Sequence, residues 1–342
     1  MTGTIKLKKF SDLSSSRKEQ VSSSFLGFMR AESTLPTFAH DIKLNQAIAA
    51  YYGYHFDILV FEYGTHDTVI GFFPYSIVGK RLISVPHFSY GGFLGLTQHR
   101  EDCERLIEGY CLKFKSFLNR GGSNRSSALN KVSGLLVLEQ TAEKQFSCFS
   151  SKLRSQIRSK SKELAGRIVH KMGKLSLLSD FYKLYFRRMV ELGSPPLPES
   201  FFKLILSSEF NSHVQIFACY IDGVCTASSI CISFGEWLEV VWSSSERRYN
   251  KYSVNLKHYW FMMQECINCR VYRFSFGRAT LNSTSAAFKK QWGCNLVPLN
   301  WKKEQNLDEH SKILREISPF LFCYLPTGLQ KFIGHAFNRY MP

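Results

Sequence analysis

Hydrophobic positions along the chain change period several times, and the changes repeat. Apolar residues at helical spacing over 39–51 give way to strand-like runs at 56–63, 68–78 and 81–86, with turns at Gly64 and Gly79. A second helical stretch at 100–119, closed by Gly121 and Gly122, leads into a strand at 132–139. About 155 residues further on the same order returns. Helices at 180–192 and 199–208, divided by Ser194-Pro195-Pro196-Leu197-Pro198, precede strands at 214–221, 224–233 and 236–242. A helix at 253–266 and a strand at 270–276 complete the second copy. The duplicated αβββαβ order predicts an α/β protein of two tandem domains, each a mixed sheet flanked by helices. The expected division is 1–150, 151–303 and a helical tail over 304–342.

Composition agrees with two folded domains. The 342 residues are 44% hydrophobic and include 29 Phe and 16 Tyr, which is far from the signature of a disordered chain. No apolar run approaches the ~20 residues of a membrane-spanning helix, and Met1 to Lys9 has no apolar signal core, so a cytoplasmic location is expected. Of ten cysteines only Cys266 and Cys269 stand at C-x-x-C spacing, which reads as reduced, mostly buried thiols. The ten histidines form no metal-binding pattern, and no metal is expected.

Charge changes the picture more. The formal net charge is +17 and is concentrated in two runs. Residues 151–174 hold eight basic side chains against Glu163 alone, and residues 268–303 hold seven with no acid. Such focused fields favour an anionic partner such as a phosphate, nucleic acid or an anionic membrane surface; the plainer alternative is a solvated face. The first run reads as a helix with Leu153, Ile157, Leu164 and Ile168 on one stripe and Arg154, Arg158 and Lys162 beside it. Lys160 falls near the apolar stripe, where a lysine either snorkels to solvent or turns its ammonium into a cleft.

Several motifs resemble one family. Residues 151–158, Ser-Lys-Leu-Arg-Ser-Gln-Ile-Arg, are similar to the basic helix that opens the second domain of FemAB-like proteins, a branch of the N-acetyltransferase (GNAT) superfamily. Leu192-Gly193-Ser194-Pro195, Glu239-Val240-Val241-Trp242-Ser243, and above all Phe276-Gly277-Arg278 with Phe288-Lys289-Lys290-Gln291-Trp292-Gly293 carry the resemblance further. In the first half, Val85-Pro86-His87-Phe88-Ser89-Tyr90-Gly91-Gly92 resembles another family signature. The match spans about 37–301 and is nearest to the FemAB-like proteins that accompany bacterial exosortase and exopolysaccharide systems. It implies two GNAT-like domains and transfer of an acyl or aminoacyl group to an amine of a cell-envelope precursor, peptidoglycan or exopolysaccharide. A non-catalytic polyanion-binding protein that keeps the fold is the alternative.

Amine attack on an ester or thioester needs alignment, a proton acceptor and stabilisation of the oxygen that becomes negative. The resemblance implies that Lys289 stabilises that oxygen or binds phosphate, with Lys290 beside it. Arg278, after a strand and Gly277, is placed to grip phosphate or carboxylate. Glu239 stands on a strand, where it either orients the acceptor amine, accepts its proton, or pairs with a nearby arginine. Arg154, Arg158, Lys160, Trp242, Tyr90 and Gly91 are the expected substrate-binding residues. Two departures stand out: Ser275 occupies a position often Asp in relatives, and residues 243–252, where coenzyme A-dependent members have a Gly-x-Gly loop, contain no glycine. No tightly bound cofactor is expected, and aminoacyl-tRNA and acyl-CoA both stay open as donors. Expected partners are an anionic small-molecule or lipid-linked precursor and aminoacyl-tRNA, with no role for DNA. The apolar tail residues, among them Leu325, Leu329, Phe332 and Phe337, either pack on the first domain or hold the protein against the inner membrane face.

Overall fold

The computed structural model describes residues 4–31, 37–121, 130–304 and 322–340. Its strands and helices, in chain order, begin with β1 (Ile5–Lys9), α1 (Ser15–Arg30), α2 (Ile42–Tyr52), β2 (His55–Tyr63), β3 (Thr68–Val78), β4 (Arg81–Ile83) and β5 (Leu94–Gly95). There follow α3 (Arg100–Cys111), β6 (Ser116–Asn119), β7 (Lys131–Val137), α4 (Ala142–Cys148), α5 (Ser151–Arg158), β8 (Ile168–Gly173), α6 (Leu178–Glu191) and α7 (Glu199–Ser207). The chain continues with β9 (His213–Ile221), β10 (Val224–Phe234), β11 (Trp237–Ser245), α8 (Val254–Asn268), β12 (Arg273–Thr280), α9 (Thr284–Lys290), β13 (Asn295–Pro298), β14 (Lys302–Glu304) and α10 (Thr327–Tyr340). These form two compact units, one of Met1–Lys131 with a segment that returns at Pro298, the other of Val132–Val297 with the last helix.

In the first unit the sheet order is β1-β2-β3-β4-β6-β14, with β5 on β3. Helix α1 starts where the Ser14 hydroxyl accepts from the Arg17 N–H, and it buries Val21, Phe25 and Met29, four residues apart. Helix α2 is capped by the Asp41 carboxylate and ended by Gly53 at φ 71°. Leu59, Phe61, Phe73 and Tyr75 pack with Ile107 and Cys111 of α3. The returning segment is held by Trp301, whose indole N–H donates to Ser89 O at 2.7 Å while the Arg120 guanidinium lies 5.0 Å over its ring. The same Arg120 donates to Val85 O and Phe88 O, closing the 85–92 turn from beneath.

In the second unit the order is β13-β7-β12-β11-β10-β9-β8. Strands β8 to β11 pair antiparallel, whereas β11 and β12 are parallel. One face carries Phe217, Leu238, Val240, Phe274 and Phe276 against Tyr259, Met262 and Met263 of α8 and Trp292 beyond α9. On the other face Phe201 and Phe202 of α7 meet the ring of Trp242 edge-on at 5.9 and 5.2 Å.

Most expected elements are present within a residue or two, and the architecture of two helix-flanked mixed sheets is as the pattern predicts. Several expectations are corrected. The helix expected over 100–119 stops at Cys111, and residues 116–119 form β6. The helix that opens at Ser151 ends at Arg158; Lys160 then adopts φ 58° and Gly166 φ 72°, and Ile168 begins a strand. Lys160 is exposed and pairs with Glu163 at 3.2 Å, so its ammonium does not enter a cleft. The strand expected to finish the first domain, β7, lies in the second unit's sheet, and β14 supplies an edge of the first. Strand β1 and helix α1 precede the repeat and were not expected from the pattern.

The tail is also corrected, as far as it falls among the described residues; its stretch 305–321 lies outside them. Helix α10 belongs to the second unit rather than packing on the first. The Asn338 amide donates to Pro196 O at 3.1 Å and to Gly334 O at 2.7 Å, and Lys331 lies over the Phe186 ring. At Gly334 a Cβ would stand 2.3 Å from Pro196 O, so only glycine permits this approach. Phe332, by contrast, is 71% exposed. No helix among the described residues is long and apolar enough to cross a membrane. Gly334→Val is therefore expected to displace α10 at a cost of about 1–3 kcal/mol and to make it the first site of proteolytic cleavage, whereas Phe332→Ser leaves the cleavage pattern unchanged.

Candidate active site

Parallel strands β11 and β12 pair only through Trp237↔Arg273, Leu238↔Phe274 and Glu239↔Ser275, although both run several residues further. Pairing ends at Glu239↔Ser275, two residues before Gly277, which has φ 70° and sits so close to β11 that a Cβ would lie 2.4 Å from Val240 O. The chain thus opens at the carboxyl ends of two parallel strands, where α/β sheets present ligand sites.

Lys289 occupies this opening. Helix α9 starts on Ser283, whose hydroxyl accepts from the Ala286 N–H, and turns Ala286 and Lys289 inward. The buried Lys289 ammonium donates to Phe276 O, and to Gly277 O at 2.7 Å. Its stem passes Gly134 of β7, where a Cβ would stand 3.1 Å from Lys289 Cδ. Burial lowers its pKa to about 8, against the opposing pull of the Glu239 carboxylate. An ammonium has three N–H donors and two go to these carbonyls, which leaves one for a further acceptor.

Glu239 is wholly buried. The Ser275 hydroxyl donates to it at 3.3 Å and shares a 3.1 Å hydrogen bond with Ser133 of β7. Arg278, next along β12, is exposed on its outer side; the protein crowding its guanidinium lowers its pKa and Glu239 opposes that shift. Lys290 is exposed, and Trp242 is half-buried against α7.

The structure therefore brings Glu239, Arg278 and Lys289 together. Arg154 and Arg158 lie elsewhere in the second unit, on a cleft that shares no lining residue with this cluster. Lys160, between the lining residues Arg158 and Ser161, does not itself line that cleft and pairs with Glu163. Tyr90 and Gly91 belong to the first unit; at Gly91 a Cβ would overlap the Val85 side chain, so the fold itself demands glycine there. Ser133, Gly134 and Cys294, whose thiol donates to Lys289 O at 3.1 Å, complete the surroundings of Lys289 and Glu239 and carry no motif of their own.

This arrangement offers a cationic donor in a low-dielectric setting, suited to an oxygen on which negative charge develops. Residues 151–290 match a family model for the acetyltransferase (GNAT) domain. They are a GNAT acyltransferase domain. The chain is similar in fold to FemX, with 11% identity and a TM-score of 0.62 over 86% of this chain and 97% of that structure. It is also similar to the C-terminal domain of a presumed lysylphosphatidylglycerol synthetase from Agrobacterium fabrum, at 12% identity and a TM-score of 0.51 over 88% and 95% of the two chains. No curated protein matches the sequence. The fold shared with FemX thus extends over residues of both units.

A buried lysine with a lowered pKa binds fewer protons in the folded than in the unfolded chain between pH about 8 and 10.5. Lys289 consequently makes stability rise with pH across that window, because the cost of burying its charge disappears. Lys289→Met should remove this rise, measured as the difference in denaturant midpoints at pH 7.5 and 10; an unchanged slope would show that Lys289 is not the titrating group.

Proposed function

We propose that the acyltransferase domain moves an aminoacyl or acyl group onto an amine of a cell-envelope precursor, with Lys289 stabilising the oxyanion. The observation that carries this reading is the Lys289 ammonium, buried at the end of β12 with one N–H left after its two carbonyl contacts. The amine nitrogen bonds to the acyl carbon, the carbonyl oxygen takes negative charge, and the acyl C–O or C–S bond to the donor breaks as the carbonyl reforms. The amine's proton leaves to solvent or to the departing group. Glu239, being buried, acts through Lys289 and not on the acceptor: its charge keeps the lysine protonated at neutral pH. Arg278, at the exposed rim of the same cluster, grips an anionic portion of donor or acceptor.

Aminoacyl-tRNA is the favoured donor. After β11 the Glu246 N–H donates to Thr226 O, the Tyr249 N–H to Glu246 O and the Ser253 N–H to Asn250 O, so these amides are already used within the chain. Arg247 and Arg248 lie near Glu191 and Glu246, at 3.8 and 4.0 Å. A coenzyme A pyrophosphate would need such amides or cations. The name of the lysylphosphatidylglycerol synthetase relative supports an aminoacyl group as cargo.

Incubation with charged tRNA or acyl-CoA and envelope precursors, followed by mass measurement of the acceptor, tests the reading. Transfer should fall as pH rises through about 8, when Lys289 loses its proton. Lys289→Ala should lower kcat by about 10²–10³-fold. Glu239→Gln should move the alkaline limb to lower pH, because the charge that raises the lysine pKa is gone. Full turnover in Lys289→Ala, or a limb unmoved by Glu239→Gln, overturns these roles.

A further inference from the structure

The cleft on the second unit that holds Arg154 and Arg158 is not explained by acyl transfer at Lys289. It has a volume of about 750 Å³ and lies among α4, α5, α8 and β8. Its lining includes the branched aliphatic side chains of Ile157, Leu164 and Ile168, of which Ile168 keeps the most accessible surface. Arg154, Arg158 and Lys257 also line it, against Glu143 as the lining acid. His170, a further lining residue, adds no charge: burial and the nearby Lys257 lower its pKa to about 4.

Lys257 is the unusual member. It is only 8% exposed, and its ammonium donates to Ile157 O at the end of α5 and, at 3.5 Å, to the Ser161 hydroxyl. Among the described residues no carboxylate pairs with it, nor with Arg154 or Arg158. Of the three cations Lys257 is buried, Arg154 half-buried and Arg158 exposed, so the cost of a charge without a counter-ion falls on Lys257 and is relieved when an anion joins it. The aromatic rings of the cleft are engaged with one another and with Arg158, which favours an aliphatic over a stacked ligand. The Phe146 ring is covered by the Arg158 guanidinium at 4.7 Å and by Trp260 at 5.2 Å, and Trp260 in turn meets Phe149 at 5.5 Å.

We infer that this cleft binds an amphiphilic anion, an alkyl chain lying against Ile168 beside Ile157 with its phosphate or carboxylate head held by Arg154, Arg158 and Lys257. The site is separate from the transfer reaction and stands or falls without it. Arg154 donates to Ser147 O at 2.8 Å, which fixes the guanidinium over α4 while leaving other N–H groups of its fork for a ligand.

Octyl phosphate, kept below its micelle concentration, is the probe, titrated calorimetrically into the full chain. One saturable site is expected, with octanol and inorganic phosphate each binding at least about tenfold more weakly, since each lacks half of the recognition. The Arg154→Ala/Arg158→Ala double variant should weaken octyl phosphate binding by at least about tenfold at an unchanged melting temperature. Lys257→Met should do the same; should that variant not fold, the double variant decides alone. Binding that never saturates, that persists undiminished in the double variant, or that inorganic phosphate alone reproduces overturns the assignment.

Discussion

Gly277 is the constraint on which the candidate site depends. With φ at 70° and Val240 O where a side chain would start, β12 is pressed onto β11 by a residue that has nothing to place between them. The strand leaves its partner there, and the carbonyls of Phe276 and Gly277 turn to the Lys289 ammonium. A larger residue would part the strands and withdraw both acceptors from a cation that burial already penalises. The position of the charge is thus set by backbone geometry, and the Glu239 carboxylate, at the last paired position of β11, opposes the loss of its proton that burial favours.

Much of the fold was legible because strands such as β3 and β9 and helices such as α6 and α7 carry strong periodicity between clear Gly and Pro breaks. Sheet membership was not. Periodicity shows that 132–139 is extended, but nothing local says that β7 joins β12 and β13, or that β14 returns to β6. Short elements failed for a different reason. Four residues of β6 after an apolar helix give too little alternation to register, so the helix pattern seemed to continue through Leu112 and Phe114. Leu164 and Ile168 sit at helical spacing from Ile157, yet the turn through Lys160 and Gly166 delivers them to one core by another route.

The site shows the same division. Glu239, Arg278 and Lys289 lie in local motifs and are together in space, whereas Ser133, Gly134 and Cys294 reach the site through long-range packing that leaves no spacing to read. Ser275 is instructive because its departure from the family pattern was visible and its meaning was not. Its hydroxyl bridges Ser133 and Glu239. An Asp at that position would set a second carboxylate beside a buried one and raise the pKa of the pair. Serine supplies the hydrogen bond without adding a second charge beside Glu239.

Charge density along the chain proved a poor guide to where charge matters. In the first basic run Arg167 forms a two-pronged pair with Asp222, and Lys160 pairs with Glu163, so both are answered by local acids on the surface. Arg154 and Arg158 have no such acid, although they come from the same run. Lys257, which completes their cleft, lies outside both basic runs. What distinguishes these groups is solvent and partnership: a paired lysine in water contributes little, whereas an unpaired one nine-tenths buried biases its surroundings strongly toward an anion. The same distinction separates Lys289 from its neighbour Lys290, adjacent in the chain and opposite in burial. The rotation of about 100° between adjacent positions of helix α9 decides which of two identical side chains enters the low-dielectric opening beside β12 and which remains a solvated surface charge.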